Sequence, residues 1–262
     1  MSGDTVTGLP QNRGTGAGYF GKVPVRGDFL SYGLPREFVD PWDDWIQLAL
    51  ADSRSQLEDA WLEVYLTSPV WHFALAPAVC GQRAWAGVLM PSVDAVGRYF
   101  PLTIAAPIDS GSNVTTLLSA SQQWFLDVEQ LARSCLEGGF DLAEFDQQVQ
   151  SLQNPAGEPS GLSLTPSQGS GDCLLNAWRY GMTSPTQLTN DCPTFLRELL
   201  DRLFFSWSLW WTAGSTRVSP TLLLCQGLPP PEGYAAMLDG NWHQWGWEDK
   251  QLFTSEPGVG SE

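Results

Sequence analysis

Three apolar segments in close succession constrain the fold of this chain more than any other feature of its sequence. They cover residues 70–75, 84–90 and 99–105. The connections between them are short and contain glycine or proline, which favours antiparallel neighbours over parallel crossovers. Because the segments are apolar at most positions, both faces of the sheet need a cover. We therefore expect an α/β fold of the mixed α+β kind, in which helices cover both faces of a central, largely antiparallel or mixed sheet.

Amphipathic segments around these strands predict the helices. Asp40 is suited to cap a helix with Pro41 in its first turn, and apolar residues at helical spacing continue to about Leu66. Residues 18–24 form a short apolar run that we interpret as an edge strand, because Pro24 cannot donate a ladder hydrogen bond. The same patterns predict helices at 114–136, 142–152, 193–204 and 234–238, and strands at 206–212 and 220–225.

Changes in composition along the chain predict how it is divided. Residues 153–171 are rich in proline, glycine and serine, which is typical of a surface loop or linker. We expect the later strands to extend the first sheet, so that both halves form one domain. The predicted parts are a disordered tail at 1–16, an α/β region at 17–152, the loop or linker at 153–171, a C-terminal α/β part at 172–245 that continues the same domain, and a frayed acidic tail at 246–262.

The charge balance excludes several classes of partner. Asp and Glu number 29 against 13 Lys and Arg, which gives a formal net charge of −16. Nucleic acid would be repelled, because its binding depends on Lys and Arg neutralising phosphates. No apolar run reaches the ~20 residues that span a bilayer, and the first residues lack the basic and apolar parts of a secretory signal. We expect a cytoplasmic protein that binds no nucleic acid, does not insert into membranes and uses no cofactor or metal.

The turn between the second and third apolar segments is more polar than a connection between strands requires. A second polar cluster lies at residues 21–28. The candidate site residues are Ser92, Asp94, Gly97 and Arg98 in the turn, and Lys22, Arg26 and Asp28 in the earlier cluster. In one interpretation, an arginine of one cluster pairs with an aspartate and holds two loops together. In the other, the clusters form a recognition surface for an acidic or polar partner, and the sequence leaves both open.

The common catalytic templates are absent from the sequence. It has no GxSxG nucleophile turn, no GxxxxGK[ST] phosphate loop and no HExxH metal motif. The alternative that remains is a hydrolase or phosphate-ester-handling enzyme that uses Ser92, Asp94 and Arg98. A deep pocket at this turn with His72 pointing into it would favour the enzyme, whereas a shallow surface with His72 buried elsewhere would count against it.

The two polar clusters lie within longer motifs that resemble a known family. The motifs are GYFGKVPVRGDF at 18–29, PWDDW at 41–45, SPVWHF at 68–73 and GVLMPSVDAVGRYFPL at 87–102. In order and spacing they resemble the TagF family, also called ImpM, whose members are accessory proteins of the bacterial type VI secretion system. The likeness covers roughly residues 17–140, so the predicted region at 17–152 is TagF-like.

The resemblance also implies a function. Members of this family are cytoplasmic, non-catalytic regulators that hold type VI secretion in check after translation, and they engage a scaffold that carries a forkhead-associated domain. By this resemblance we expect a repressor rather than an enzyme, with that scaffold as its partner and an oligomeric state that stays open. The family offers no established catalytic residues, so the seven candidate residues are expected to be motif or partner-binding positions.

Overall fold

A computed structural model describes residues 16–109, 112–157 and 187–248 of the chain. Outside the described residues lie positions 1–15 of the predicted tail at 1–16, positions 249–262 of the predicted tail at 246–262, and positions 158–171 of the predicted loop at 153–171. The same holds for residues 172–186 at the start of the predicted C-terminal part.

The described residues contain one seven-stranded sheet in which every pairing is antiparallel, as the short connections predicted. Its strands are β1 (Gly18–Gly21), β2 (Leu30–Tyr32), β3 (Trp71–Leu75), β4 (Trp85–Met90), β5 (Leu102–Pro107), β6 (Trp207–Thr212) and β7 (Thr221–Gln226). Their order across the sheet is β2-β1-β5-β4-β3-β6-β7. The three apolar segments thus form the middle of the sheet, where both faces are covered.

Helices cover both faces, which confirms the predicted fold class. They are α1 (Arg36–Leu57), α2 (Trp61–Leu66), α3 (Leu117–Ala120), α4 (Gln122–Ser134), α5 (Leu142–Ser151), α6 (Gln187–Leu203) and α7 (Tyr234–Asp239), with 3₁₀ turns at Glu58–Ala60, Val114–Thr116 and Pro231–Gly233. Helices α1, α2 and α7 pack on one face, and α4 and α5 pack on the other, joined there by α6. None of the helices in these ranges is long and apolar enough to cross a membrane.

Alternation along the central strands assigns each side chain to one face. Phe73 of β3 and Trp85 of β4 pack against α1, whereas the next residues, Ala74 and Ala86, face the opposite cluster. This follows from the pleat, in which successive side chains point to opposite faces. Because both faces are buried, all residues of β3, β4 and β5 are buried and the strands read as continuous apolar runs.

Helix α1 begins earlier than the sequence predicted. The predicted start at Asp40 and Pro41 is wrong, because the helix begins at Arg36 behind an extended Pro35 and contains Pro41 in its second turn. The extra turn buries Phe38 completely against the core. Pro41 lacks only the hydrogen bond to the carbonyl of Glu37, so burial of Phe38 outweighs the loss of one helical hydrogen bond.

The prediction of an edge strand at residues 18–24 is also wrong. Strand β1 ends at Gly21, so Pro24 lies outside it, and β1 has neighbours on both sides. The edge position belongs to β2, which folds back from the 22–29 loop and pairs Leu30 with Gly21. As a result the polar 22–29 loop connects the last two strands at this end of the sheet.

Strands from both predicted halves lie in the same sheet. Strand β3 pairs with β6 from His72 opposite Trp211 to Leu75 opposite Ser208. Trp210 of β6 lies stacked on Trp42 of α1, with ring centroids 5.7 Å apart and an interplanar angle of 7°. The two halves therefore share core contacts, while the predicted boundaries between the parts of the chain remain a prediction.

Candidate functional site

The sheet order brings the two polar clusters together. Strand β1 ends at Gly21 and its antiparallel neighbour β5 begins at Leu102, so the loop after β1 lies beside the turn before β5. We call the 22–29 loop and the 92–98 turn the joined loops. Residues separated by about seventy positions in the chain thus form one polar structure.

Asp94 is the centre of the joined loops. Its carboxylate is fully buried and accepts a bond of 2.8 Å from Lys22 Nζ and one of 2.6 Å from Arg98 Nε. Its other oxygen accepts the backbone N–H groups of Val96 and Arg98, at 3.0 and 2.8 Å. Lys22 is only 4% exposed, so its ammonium relies on this carboxylate for a partner in the core. The charge pair that joins the two loops is therefore Lys22 with Asp94, whereas the predicted arginine pair, Arg98 with Asp94, lies within one turn.

Backbone groups complete the connection between the joined loops. The guanidinium of Arg98 donates to the carbonyl of Gly27. The N–H of Ala95 donates to the carbonyl of Arg26 at 2.9 Å, which joins the two loop tips directly. The turn itself closes at Gly97, whose φ of +83° lies in the left-handed region that favours glycine.

Ser92 anchors the turn to the fold rather than presenting a nucleophile. Its hydroxyl donates to the carbonyl of Lys22 at 2.7 Å and is buried. Its backbone carbonyl accepts the hydroxyl of Tyr65, at 2.9 Å, and its N–H donates to the same hydroxyl at 3.0 Å. Burial raises the pKa of Tyr65 well above its usual value, so this hydroxyl stays neutral as both donor and acceptor.

The tips of the joined loops are exposed and partly apolar. Val25 is 48% exposed, Phe29 50% and Val96 69%. Phe29 is fixed in place by Phe100, at a ring-centroid distance of 4.7 Å, and by Lys22 Nζ, which lies 4.7 Å from its ring. We call Val25, Arg26, Phe29 and Val96 the joined-loop surface.

The bonds of Lys22 and Arg98 to Asp94 form a clamp beneath the loop tips. Arg26 and Asp28 lie on these tips but take no part in the clamp. Both are exposed, and neither side chain bonds to any described residue. Of the seven candidates, the structure therefore brings Lys22, Ser92, Asp94, Gly97 and Arg98 into one clamp and leaves these two available at its surface.

The hydrogen bonds to Asp94 set its protonation behaviour. Burial alone would raise the pKa of this carboxyl. The opposing bonds from Lys22, from the backbone and side chain of Arg98 and from the Val96 amide are together stronger, so the pKa of Asp94 lies well below its usual range. The carboxylate stays ionised, and the clamp stays intact, at neutral pH.

We expect Asp94→Asn to reduce the acid sensitivity of the fold. A carboxyl whose pKa falls on folding adds stability that is fully present above its unfolded pKa, about 3.9, and lost as the pH falls towards the folded value. The difference in unfolding free energy between the native protein and Asp94→Asn should therefore be largest near neutral pH and shrink below about pH 4. Urea unfolding of both proteins along a pH series measures it.

The control for this series is Asp28→Asn, because the Asp28 side chain is exposed and bonds to no described residue. It should leave the unfolding free energy unchanged at each pH. If the difference in unfolding free energy between the native protein and Asp94→Asn is the same at neutral and acid pH, the ionised Asp94 carboxylate does not hold the joined loops together.

His72 does not join Ser92, Asp94 and Arg98, the side chains that the alternative enzyme would use. His72 lies on the other face of the sheet, where its Nε2 is 2.6 Å from a carboxylate oxygen of Glu129 and its ring stacks on Phe125. That bond is the main cause of the lowered pKa of Glu129; burial opposes it and Arg133 adds to it. With Ser92 bonded to the Lys22 carbonyl, the geometry counts against a hydrolase at this turn.

A cavity of about 640 Å³ lies elsewhere in the fold, between the β3–β4 connection, the end of β5 and helix α6. None of the seven candidate residues lines it, and neither does His72. The joined loops lie outside this cavity, and their tips are exposed.

Three residues of the joined-loop surface, Val25, Phe29 and Val96, and the anchor Tyr65 were missed at the sequence level. The first three are apolar residues that flank charged ones in a loop, and that exposed position was the available signal. Tyr65 gave no signal, because its place on α2 resembles any other core position of an amphipathic helix.

Comparison with known proteins identifies the family of this chain. The TagF N-terminal domain, described as type VI secretion system-associated, matches residues 18–152, which include the joined loops. The crystal structure of PA0076 from Pseudomonas aeruginosa PAO1 is 37% identical in sequence, with a TM-score of 0.75 over 92% of this chain and 100% of that one. No curated protein sequence matches the chain. The chain belongs to the TagF family of type VI secretion system-associated accessory proteins.

Proposed function

We propose that this protein is a non-catalytic regulator that represses type VI secretion by binding a scaffold with a forkhead-associated domain. The joined-loop surface is the contact site in this proposal. The observation that carries it is an exposed apolar and cationic tip, built on a clamp whose central carboxylate is fully buried. Membership of a family associated with this secretion system supports the setting.

The joined-loop surface has the physical properties of a binding site. Binding costs less when the contact residues are already ordered, and the clamp under Val96 and Arg26 fixes both loop tips before a partner arrives. Arginine and aromatic side chains dominate the energy of many interfaces, and this surface presents Arg26 and Phe29 together.

Charge supports the same choice of surface. The chain carries a net charge of −16, and five arginines of the described residues pair with a carboxylate. The side chain of Arg26 bonds to no described residue, and its guanidinium suits an acidic side chain on the partner. We therefore expect the partner surface to combine an apolar area with at least one carboxylate.

We expect the full chain to co-purify with the forkhead-associated scaffold encoded in the same bacterium, and deletion of its gene to raise type VI secretion. Affinity purification of the tagged full chain, followed by an immunoblot for the scaffold, measures the first. The amount of secreted effector in culture supernatant measures the second. Absence of the scaffold from the purified fraction, together with unchanged secretion after deletion, would rule out this function.

A further inference from the structure

Strand β7 ends the sheet with an edge that no described strand covers. It pairs with β6 along its full length, from Thr221 opposite Thr212 to Gln226 opposite Trp207, and the strand order ends there. Alternate residues of this six-residue strand therefore direct their backbone N–H and C=O groups outward. The edge at the other end of the sheet, β2, is only three residues long.

This edge lacks the sequence features that prevent other edge strands from pairing with a second chain. Natural edge strands carry charged residues, internal prolines or bulges that prevent pairing with another chain. From Leu203 to Pro231 the sequence has one charged residue, Arg217, although 16% of the whole chain is charged. The guanidinium of Arg217 binds Glu63 of helix α2, so it does not guard the edge. An unguarded edge favours pairing.

The outward face of β7 is also apolar. Leu223 and Cys225 point into the core, whereas the alternate residues Leu222 and Leu224 are 47% and 46% exposed. Beside the end of β7, where Gly227 bonds to Ser206, the preceding residue Phe205 is 89% exposed. The edge therefore combines backbone groups that no described strand pairs with exposed apolar side chains.

We propose that β7 pairs with β7 of a second copy of this chain, in a two-fold antiparallel dimer that continues the sheet through both copies. Two-fold interfaces are self-complementary, because the same patch serves both subunits. In this dimer the two-fold axis passes beside Leu223, so Leu222 of one copy lies opposite Leu224 of the second copy. By symmetry, Leu224 of the first copy lies opposite Leu222 of the second. Two exposed leucines spaced two residues apart on one face are what this register requires.

The distribution of charge permits a second copy at this edge. Each copy carries a net charge of −16, so two copies repel each other over most of their surfaces. The β6–β7 hairpin carries almost no charge, so close approach of two copies there costs little. A strand from another protein would need a matching apolar pair, whereas a second copy supplies it by symmetry.

The test is the molar mass of the purified full chain by size-exclusion chromatography with light scattering, over a range of concentrations. We expect twice the monomer mass of 28.8 kDa for the native chain. Leu222→Lys should weaken the dimer at least about 10-fold, because it places an ammonium opposite Leu224 of the second copy. The matched control is Leu126→Lys on α4, since Leu126 is equally exposed at 48% and lies away from β7.

A charge pair tests the register itself. In the double variant Leu222→Lys/Leu224→Glu each new lysine faces a new glutamate of the second copy, so the dimer should return. A native chain that is monomeric at every concentration would overturn the proposal and leave the edge to a strand of another protein. A dimer that Leu222→Lys and Leu126→Lys affect equally, or that the double variant does not restore, would overturn this interface.

Discussion

Replacing Trp210 with alanine is expected to lower the free energy of unfolding by about 3–5 kcal/mol, the usual loss for a fully buried tryptophan. Trp210 is completely buried in β6, where its ring packs against Trp42, Trp45 and Phe73 at centroid distances of 5.7, 5.4 and 5.2 Å. Its loss leaves a cavity between the first helix and the last strands. Urea unfolding followed by circular dichroism measures the change.

The same variant tests whether the chain is one domain. Trp210 follows the predicted loop at 153–171 in the chain, whereas the aromatic residues that it packs against precede this loop. Trp210→Ala should therefore destabilise the parts before and after the loop together, in one unfolding transition. Trp245→Ala is the control for losing a tryptophan, since Trp245 is only partly buried and its indole N–H bonds to Asp239. Two separate transitions, with the region at 17–152 as stable as in the native chain, would contradict a single domain.

The middle of the sheet could be predicted from the sequence because the pairing of its strands depends on segments that are close together in the chain. The segments that become β3, β4 and β5 are apolar at nearly every position, which a strand buried on both faces requires, and short connections allow only antiparallel neighbours. Their pairing therefore follows from order in the chain. The place of β1 does not, because its neighbour β5 follows about eighty residues later.

Half of the clamp was predictable for the same reason. Asp94 and Arg98 lie four residues apart in one turn, so their pairing needs no knowledge of the sheet. The bond between Lys22 and Asp94 depends on the pairing of β1 with β5, which brings Gly18 opposite Ala105. The sequence offered several partners for Asp94, and sheet order selected Lys22.

The helix start at Arg36 shows the limit of local signals. Asp40 and Pro41 form a strong starting pattern by residue type, yet the structure extends the helix by one more turn. The deciding factor is the core, because Phe38 has a buried place against Trp42 and Trp85. Tertiary burial overrides a capping preference of about 1 kcal/mol.

Val96→Asp is expected to weaken binding to the forkhead-associated scaffold by roughly 30-fold, the effect of about 2 kcal/mol at an interface hot spot. Val96 is 69% exposed at the tip of the joined loops, and its own backbone N–H bonds to Asp94 whatever its side chain. A carboxylate there removes apolar contact and repels the acidic partner that Arg26 is proposed to bind. Isothermal titration of the purified scaffold into the full chain measures the dissociation constant.

Comparing Val96→Asp with Asp94→Asn separates an effect on scaffold binding from an effect on folding. Because the Val96 side chain takes no part in the clamp, its replacement should leave the urea midpoint of the chain unchanged, whereas Asp94→Asn should lower both stability and affinity. Leu48→Asp on α1 is the matched control, since Leu48 is 58% exposed on a surface distant in sequence from both loops. If Leu48→Asp weakens binding as much as Val96→Asp, added negative charge explains the loss. If neither variant changes the affinity, the joined loops hold the fold together and the scaffold binds elsewhere.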